Sequence, residues 1–360
     1  MKYLWLLLPA CLLAGCERNA REQERDVPRG EAKTETPSNE SGLQFTVVAD
    51  EAPPLDASLA MMQTQVVLEQ LGFSPGVIDG KSGQSLTLAL KGFQEANGLK
   101  TTGELDTETT EKLRQWQSVP ATLMVRIPAE FAAGPFVPDF PAEAADQAKL
   151  PALGYRDLME ALSERFHTDP ETLLAINSPE TIVAAGQVIR VPNVADAGVP
   201  GPDFAVRGWD KTLQALAVSA DQPDAEKVVV DKSDGVLRAF DANDKLIAQF
   251  PATMGSKHDP LPLGNWTIKG VSRNPDFHYN PKLFWDVNDS KEKLLLKPGP
   301  NGPVGVVWID LSKPHYGIHG TNEPDTIGRA ESHGCVRLTN WDAAKLAGMV
   351  KPGVKVVFQK

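Results

Sequence analysis

The chain is short of cysteine, of positive charge and of apolar stretches long enough to cross a membrane, and each shortage removes a class of protein. Three cysteines among 360 residues cannot knit a disulfide framework, and neither a Cys-x-x-Cys pair nor a His-Glu-x-x-His run is present to hold a metal ion. Lys and Arg number 36 against 47 Asp and Glu, a formal charge of −11. No basic footprint exists to draw phosphates, so nucleic acid is not an expected partner. The apolar run from Tyr3 to Leu13 is too short to span a bilayer. What remains is ordinary globular material, 41% hydrophobic, long enough for two or three domains of about 100–200 residues each.

That first run follows Lys2 and ends in Leu13-Ala14-Gly15-Cys16, the layout of a secretory signal: a basic start, an apolar middle and small residues before the cleavage point. Leu-Ala-Gly-Cys resembles the bacterial lipobox. The resemblance implies that residues 1–15 are a signal peptide, that Cys16 is lipidated as the first mature residue, and that the lipid makes a membrane one partner. Glu17 beside it implies a periplasmic enzyme held at the outer membrane. Residues 16–58 are polar and charge-mixed, and they read as a flexible tether with an r.m.s. span of about 35 Å. Cys11 leaves with the signal and Cys16 carries lipid, which isolates Cys335 in an oxidising compartment. A lone thiol there is either a buried, inert hydrophobe or a reactive group.

Beyond the tether the apolar spacing turns helical. Val67, Leu68 and Leu71 share a face that Gly72 ends, Leu86, Leu90 and Phe93 repeat at helical spacing up to Asn97-Gly98, and a third short helix is expected from Asp106 to Trp116. With the turns Gly76-Val77-Ile78-Asp79-Gly80 and Thr102-Gly103-Glu104-Leu105-Asp106, residues 59–117 resemble the small three-helix peptidoglycan-binding domain. Residues 118–154 are rich in Pro and Ala and read as a linker or a packed irregular segment. Leu158, Leu162 and Phe166 mark another helix, Asp169-Pro170 opens the next, and a strand is expected from Gln187 to Val191. Residues 155–195 therefore resemble a LysM glycan-binding module, a small α/β unit, although nothing before Arg156 supplies its first strand.

From Lys227 the period is that of strands: Val228-Val229-Val230, an Asp234-Gly235 turn, Val236 to Phe240, Lys245 to Phe250, and later segments at 266–268, 304–309, 317–319 and 354–358. One helix is expected from Trp341 to Val350 with Asn340 as its N-cap. Two segments here carry chemistry, Tyr316-Gly317-Ile318-His319-Gly320-Thr321 and Ser332-His333-Gly334-Cys335-Val336-Arg337-Leu338. A cysteine nucleophile needs a nearby base, donors for an oxyanion and a backbone that comes close to substrate. His319 can be the base, and Gly334 lets N–H groups around Cys335 converge. A metal set of His315, His319, His333 and Cys335 lacks the usual ligand spacing. Ser332 is a poorer nucleophile than the thiol beside it. Arg337 is either a strand-edge cation or a carboxylate contact.

His-Gly-Thr followed by Ser-His-Gly-Cys-Val-Arg-Leu resembles the signature of the L,D-transpeptidase catalytic domain of YkuD type, over residues 225–359. The expected architecture is thus multidomain, with a β-rich, mixed β-sandwich-like C-terminal domain, the helical domain and the LysM-like module. The resemblance implies Cys335 as nucleophile and His319 as proton acceptor and donor. His333, Gly334 and Ser332 would shape the oxyanion site, and Arg337, Tyr316, Gly320 and Thr321 would contact substrate, with no cofactor and no metal. It implies peptidoglycan, both stem peptide and glycan, as partner, and acyl transfer from a tetrapeptide stem to an amine on another stem or on an outer-membrane lipoprotein. Water as acceptor would instead make a carboxypeptidase or a lipoprotein-releasing hydrolase, and a decayed site would leave a wall-binding lipoprotein. The chemistry requires an ionised, exposed sulfur at the floor of a β-walled groove, with the imidazole on a neighbouring strand.

Overall fold

The computed structural model describes residues 42–48, 57–194, 196–281, 292–330, 332 and 334–360. The signal, Cys16 and nearly all of the tether lie outside them. Three helices, α1 (Ala57–Gln70), α2 (Gln84–Ala96) and α3 (Thr107–Leu113), form the N-terminal domain, and a 3₁₀ turn at Arg114–Trp116 completes the third. Two buried glutamines fix its Gly-containing loops. Gln65 accepts from the Asp79 and Gly80 main chain at 3.1 and 2.7 Å, and Gln94 accepts from Gly103 N at 2.8 Å. Asp106 caps α3 by accepting from Thr109 N at 2.9 Å, which satisfies one of the donors a helix start leaves open.

The segment expected as a linker or a packed irregular stretch is packed and carries regular elements. It supplies strand β2 (Thr122–Arg126) and two single-turn helices, α4 (Ala129–Ala132) and α5 (Ala144–Gln147), and it buries Ile127, Phe131 and Leu153. After α6 (Leu158–Arg165) and α7 (Pro170–Ala175) comes β3 (Val188–Pro192), antiparallel to β2 with Val125 opposite Ile189. A short strand β1 (Thr46–Val48) extends β2 on its other edge. A strand, β2, thus lies before Arg156 and pairs with β3. Val125, Ile127, Leu162, Phe166, Ile189 and Val191 pack with Met62, Val66 and Ile78 of the helical domain in one apolar core, so the two units share buried surface.

The C-terminal domain follows α8 (Trp209–Ala215) and contains β4 (Lys227–Asp231), β5 (Val236–Phe240), β6 (Leu246–Pro251), β7 (Thr253–Met254), β8 (Gly264–Arg273), β11 (Val307–Leu311), β12 (Gly317–His319), β13 (Val336–Arg337), α9 (Asn340–Met349) and β14 (Lys355–Gln359), with a separate hairpin of β9 (Phe277–Tyr279) and β10 (Leu294–Leu296). It is not a sandwich of two facing sheets. One nine-stranded sheet runs β6-β5-β4-β14-β8-β11-β12-β13-β7. Its two edge strands are consecutive in the chain, so the sheet curls into a nearly closed barrel. The pairs β4/β14 and β12/β13 are parallel; the others are antiparallel. Trp341 of α9 is fully buried in its core, where an aromatic of that size contributes roughly 1.5–3 kcal/mol.

The helical domain also closes the sheet's β6 edge. Ser74 N donates to Gln249 O and Gln249 N to Gly72 O, both at 2.9 Å, and Leu246 joins Leu68, Leu90 and Phe93 in an apolar cluster. An edge that would otherwise present open donors and acceptors is paired. The start of α9 differs from expectation by one residue: Thr339 caps it, accepting from Asp342 N at 3.1 Å. The Asn340 amide is thereby free for other partners.

Candidate active site

The parallel pairing of β12 with β13 sets Ile318 beside Val336 and His319 beside Arg337. Side chains alternate along a strand. Ile318 and Val336 therefore enter the core, where both are fully buried, while His319, Arg337 and Cys335, two positions before Arg337, face the other way. All three line one cavity of about 490 Å³ with Tyr316, His315 and Trp308. Gly334 enters this turn at φ +101, and a methyl group there would sit 2.7 Å from the Tyr316 ring. Only glycine meets both demands.

Among the described residues His319 is held on one side only. Its Nδ1 donates to the Gly320 carbonyl at 2.7 Å, and its ring lies at 23° to Trp308 with centroids 5.6 Å apart. That bond fixes the neutral tautomer with the lone pair on Nε2. Burial pulls its pKa down to about 4, against the Gly320 carbonyl, and the Arg337 charge adds to the fall. Cys335 is half-buried and in no disulfide, and its Sγ donates to His315 O at 3.9 Å. Burial pushes its thiol up, partly offset by a hydrogen bond from the Gly317 main chain and by Arg337, while Asp259 adds to the rise. The sulfur lies on the cavity wall with the imidazole on the adjacent strand, but the resting pair is a neutral thiol and a neutral imidazole. Ionisation at rest is not what this environment favours, because both groups leave water for an apolar wall.

Ser332 acts through the backbone. Its Oγ donates to Cys335 O at 2.6 Å and accepts from Gly255 N at 2.7 Å, which staples the cysteine turn to β7. Gly320 and Thr321 are buried behind the cavity instead of lining it. The chain turns inward after β12, where Gly320 offers its carbonyl to His319 and the Thr321 hydroxyl accepts from Glu323 N at 3.2 Å. His333 falls outside the described residues. Among the described residues Arg337 makes no ion pair, and no group of three or more His, Cys, Asp or Glu is placed to hold a metal ion. The cavity wall also includes Asp259, His278, Pro303 and Val304. His278 reads in sequence as an ordinary loop residue, yet it sits on β9 at the rim. The Gly299-to-Gly305 run, with Pro303 and Val304, carried a signal in its density of Gly and Pro.

Residues 225–358 match the YkuD family, described as the L,D-transpeptidase catalytic domain, and residues 59–113 match a family described as "Putative peptidoglycan binding domain". Similar proteins include the "Putative L,D-transpeptidase YkuD" of Bacillus licheniformis, 29% identical over 56% of this chain and 92% of that protein. The "Probable L,D-transpeptidase YbiS" of Escherichia coli K12 is 27% identical over 59% of this chain and 73% of that protein. Among solved structures, the L,D-transpeptidase from Mycobacterium smegmatis aligns over 38% of this chain at 20% identity and a TM-score of 0.31, and this chain spans 59% of its length.

Proposed function

We propose, for a chain that is a cysteine-dependent L,D-transpeptidase of the cell wall with an N-terminal peptidoglycan-binding domain, that it transfers the acyl group of a tetrapeptide stem to an amine through a thioester on Cys335. The observation that carries this reading is the β12/β13 pairing, which sets an imidazole with a free Nε2 and a thiol into one cavity. As Sγ attacks the carbonyl of the third stem residue, its proton passes to Nε2 of His319. N–H groups of the Gly334–Cys335 turn receive the negative oxygen. Collapse breaks the amide bond, and the departing D-alanine amine takes the proton from His319. The acceptor amine then attacks the thioester, loses a proton to His319, and the thiol leaves with that proton. Arg337, open in the cavity, suits a carboxylate of the stem.

The acceptor in this proposal is another stem, giving a 3→3 cross-link, or the lysine of an outer-membrane lipoprotein. The sequence of residues 1–16 supports a lipid anchor on Cys16 at the periplasmic face of the outer membrane. The β2-α6-α7-β3 unit supports glycan binding of LysM type, which with the helical domain would raise local substrate concentration. The test is mass spectrometry of purified sacculi, digested after incubation with the full chain or with Cys335→Ala. Expected are 3→3 dimers or lipoprotein remnants, and a thioester adduct on intact protein, for wild type alone. Tripeptide stems without either product would replace the amine acceptor by water, and identical digests for both proteins would overturn the acyl-transfer reading.

A further inference from the structure

The catalytic domain is gripped from behind by residues that lie outside it, and both grips lead to the cavity. The first is on the loop that ends in Pro303 and Val304 of the cavity wall. Leu153 N donates to Pro298 O and Asn301 N to Leu153 O, each at 3.0 Å. Buried Asn301 donates its amide to Gly154 O at 2.9 Å and Glu160 Oε2 at 3.0 Å. The approach is so close that a methyl at Gly299 would meet Leu153 O at 2.1 Å.

The second grip is on Asn340. Its Nδ2 donates to both carboxyl oxygens of Glu164 on α6, at 2.9 and 3.1 Å, and to Pro300 O at 3.2 Å. Its Oδ1 accepts from Val306 N at 3.2 Å. That oxygen also stands against two glycines: a methyl would come within 1.9 Å of it at Gly305 and within 2.3 Å at Gly320. Gly320 is the residue whose carbonyl holds His319 Nδ1. A continuous set of contacts thus runs from Glu164 through the Asn340 amide and the Gly320 peptide to the imidazole. Every side chain in it is buried, so the amide has no water to replace a lost partner.

We infer that Glu164 and Asn340 are positioning residues for His319, so that the module bearing α6 completes the catalytic site of the neighbouring domain. The inference rests on the reading of His319 as the proton carrier. Asn340 keeps its Oδ1 on Val306 N, and of the acceptors facing Nδ2 the two oxygens of Glu164 lie nearer than Pro300 O, so Glu164 is the main hold against rotation of the amide. Without that acceptor the amide can swing, the space beside Gly305 and Gly320 opens, and the Gly320 carbonyl no longer fixes the tautomer and tilt of the ring. Burial holds the Glu164 carboxyl up at about 8, against the Asn340 and Tyr155 hydrogen bonds. Gln keeps the shape of the side chain and one acceptor oxygen for Asn340 Nδ2 without the ionisable group.

The test uses the full chain with Glu164→Leu and Glu164→Gln. Glu164→Leu keeps the volume and removes the acceptor, and a displaced catalytic group of this kind costs up to about 100-fold. Expected is a fall in kcat of that order with KM within about twofold, and a His319 ring that titrates nearer the ordinary imidazole range by NMR. Glu164→Gln restores kcat to within about threefold and returns the His319 titration to that of wild type. A folded Glu164→Leu protein with unchanged kcat, or one whose kcat falls while the His319 titration stays that of wild type, overturns the inference. The NMR readout needs no turnover. If His319→Gln leaves turnover intact while Glu164→Leu still moves the His319 titration, the catalytic reading fails and the positional coupling stands.

Discussion

Two buried histidines, each stacked on a tryptophan, show how one residue type serves opposite ends. His319 lies at 23° to Trp308 in the cavity; His167 lies at 7° to Trp341, 5.0 Å between centroids, where the helical domain, the α6-α7 unit and α9 meet. His319 spends one nitrogen on a main-chain carbonyl and, among the described residues, keeps the other free. His167 spends both, Nδ1 on Glu69 at 2.6 Å and Nε2 on Leu216 O at 2.7 Å. A histidine with a free nitrogen can take and return a proton. One with both nitrogens facing acceptors is a fixed strut, and Glu69, Lys345 and Asp342 around it form a largely buried network in which burial and Glu69 raise the Asp342 carboxyl to about 7.

The largest effect that sharpens this comparison is loss of the free nitrogen. His319→Gln should lower kcat about 10³-fold, in the range of a missing general acid–base, with thermal unfolding within a few degrees of wild type. His167→Gln should do the reverse, lowering the unfolding temperature while turnover of the folded protein at 20 °C stays within about threefold. Equal kcat losses in the two variants, in a stem-peptide release assay, would erase the distinction.

Next comes the network itself. Burial alone would raise the Glu69 carboxyl, but Lys345 and His167 outweigh it and bring it from the ordinary 4.5 to about 2. A depressed acid stabilises the fold fully above its unfolded pKa and loses that contribution as pH falls through the folded value. Glu69→Gln should therefore cost about 3 kcal/mol at pH 7 in urea unfolding, a difference that shrinks between pH 4.5 and 2. A cost unchanged at pH 3 would show that Glu69 acts by shape and not by charge.

How much of this was legible in the sequence follows from how local each feature is. Cys335, Gly334 and Ser332 sit within one short segment, and His319 with its glycine in another, so a chemical pattern survives in the string of letters. The first strand of the α6-α7 unit was not legible. Thr122 to Ile127 is fenced by Pro120 and Pro128, and its partner β3 comes only after four helices, α4 to α7. Strand alternation alone suggests a sandwich-like domain, because closure depends on which strands lie at the ends of the sheet, a fact of pairing and not of alternation. Asn340 looked like a helix cap because Asn is a good one. Thr339 beside it can cap as well, and nothing in the chain order announces that Glu164 claims the amide. The contacts joining Glu69 and Ser74, His167 and Asp342 come from three separated segments, and no period or motif links them.

The smallest effect tests why His319 is kept neutral. Its pKa of about 4 is set first by burial, resisted by the Gly320 carbonyl, and lowered last by Arg337. The acid limb of kcat should accordingly fall near pH 4, well below an ordinary imidazole, because the base works only when unprotonated, while the alkaline limb reports the pushed-up thiol. Arg337→Gln removes the positive neighbour, so protonating His319 becomes easier and the limb moves upward. Since burial remains, the movement should be a fraction of a pH unit, measured on the full pH–rate profile at low ionic strength, and should shrink as salt screens the wild-type charge. A limb that jumps to about 6.5 would mean that the cation, and not the apolar wall with Trp308, keeps this histidine ready to accept a proton, and the contrast with His167 would then be one of charge placement instead of hydrogen-bond count.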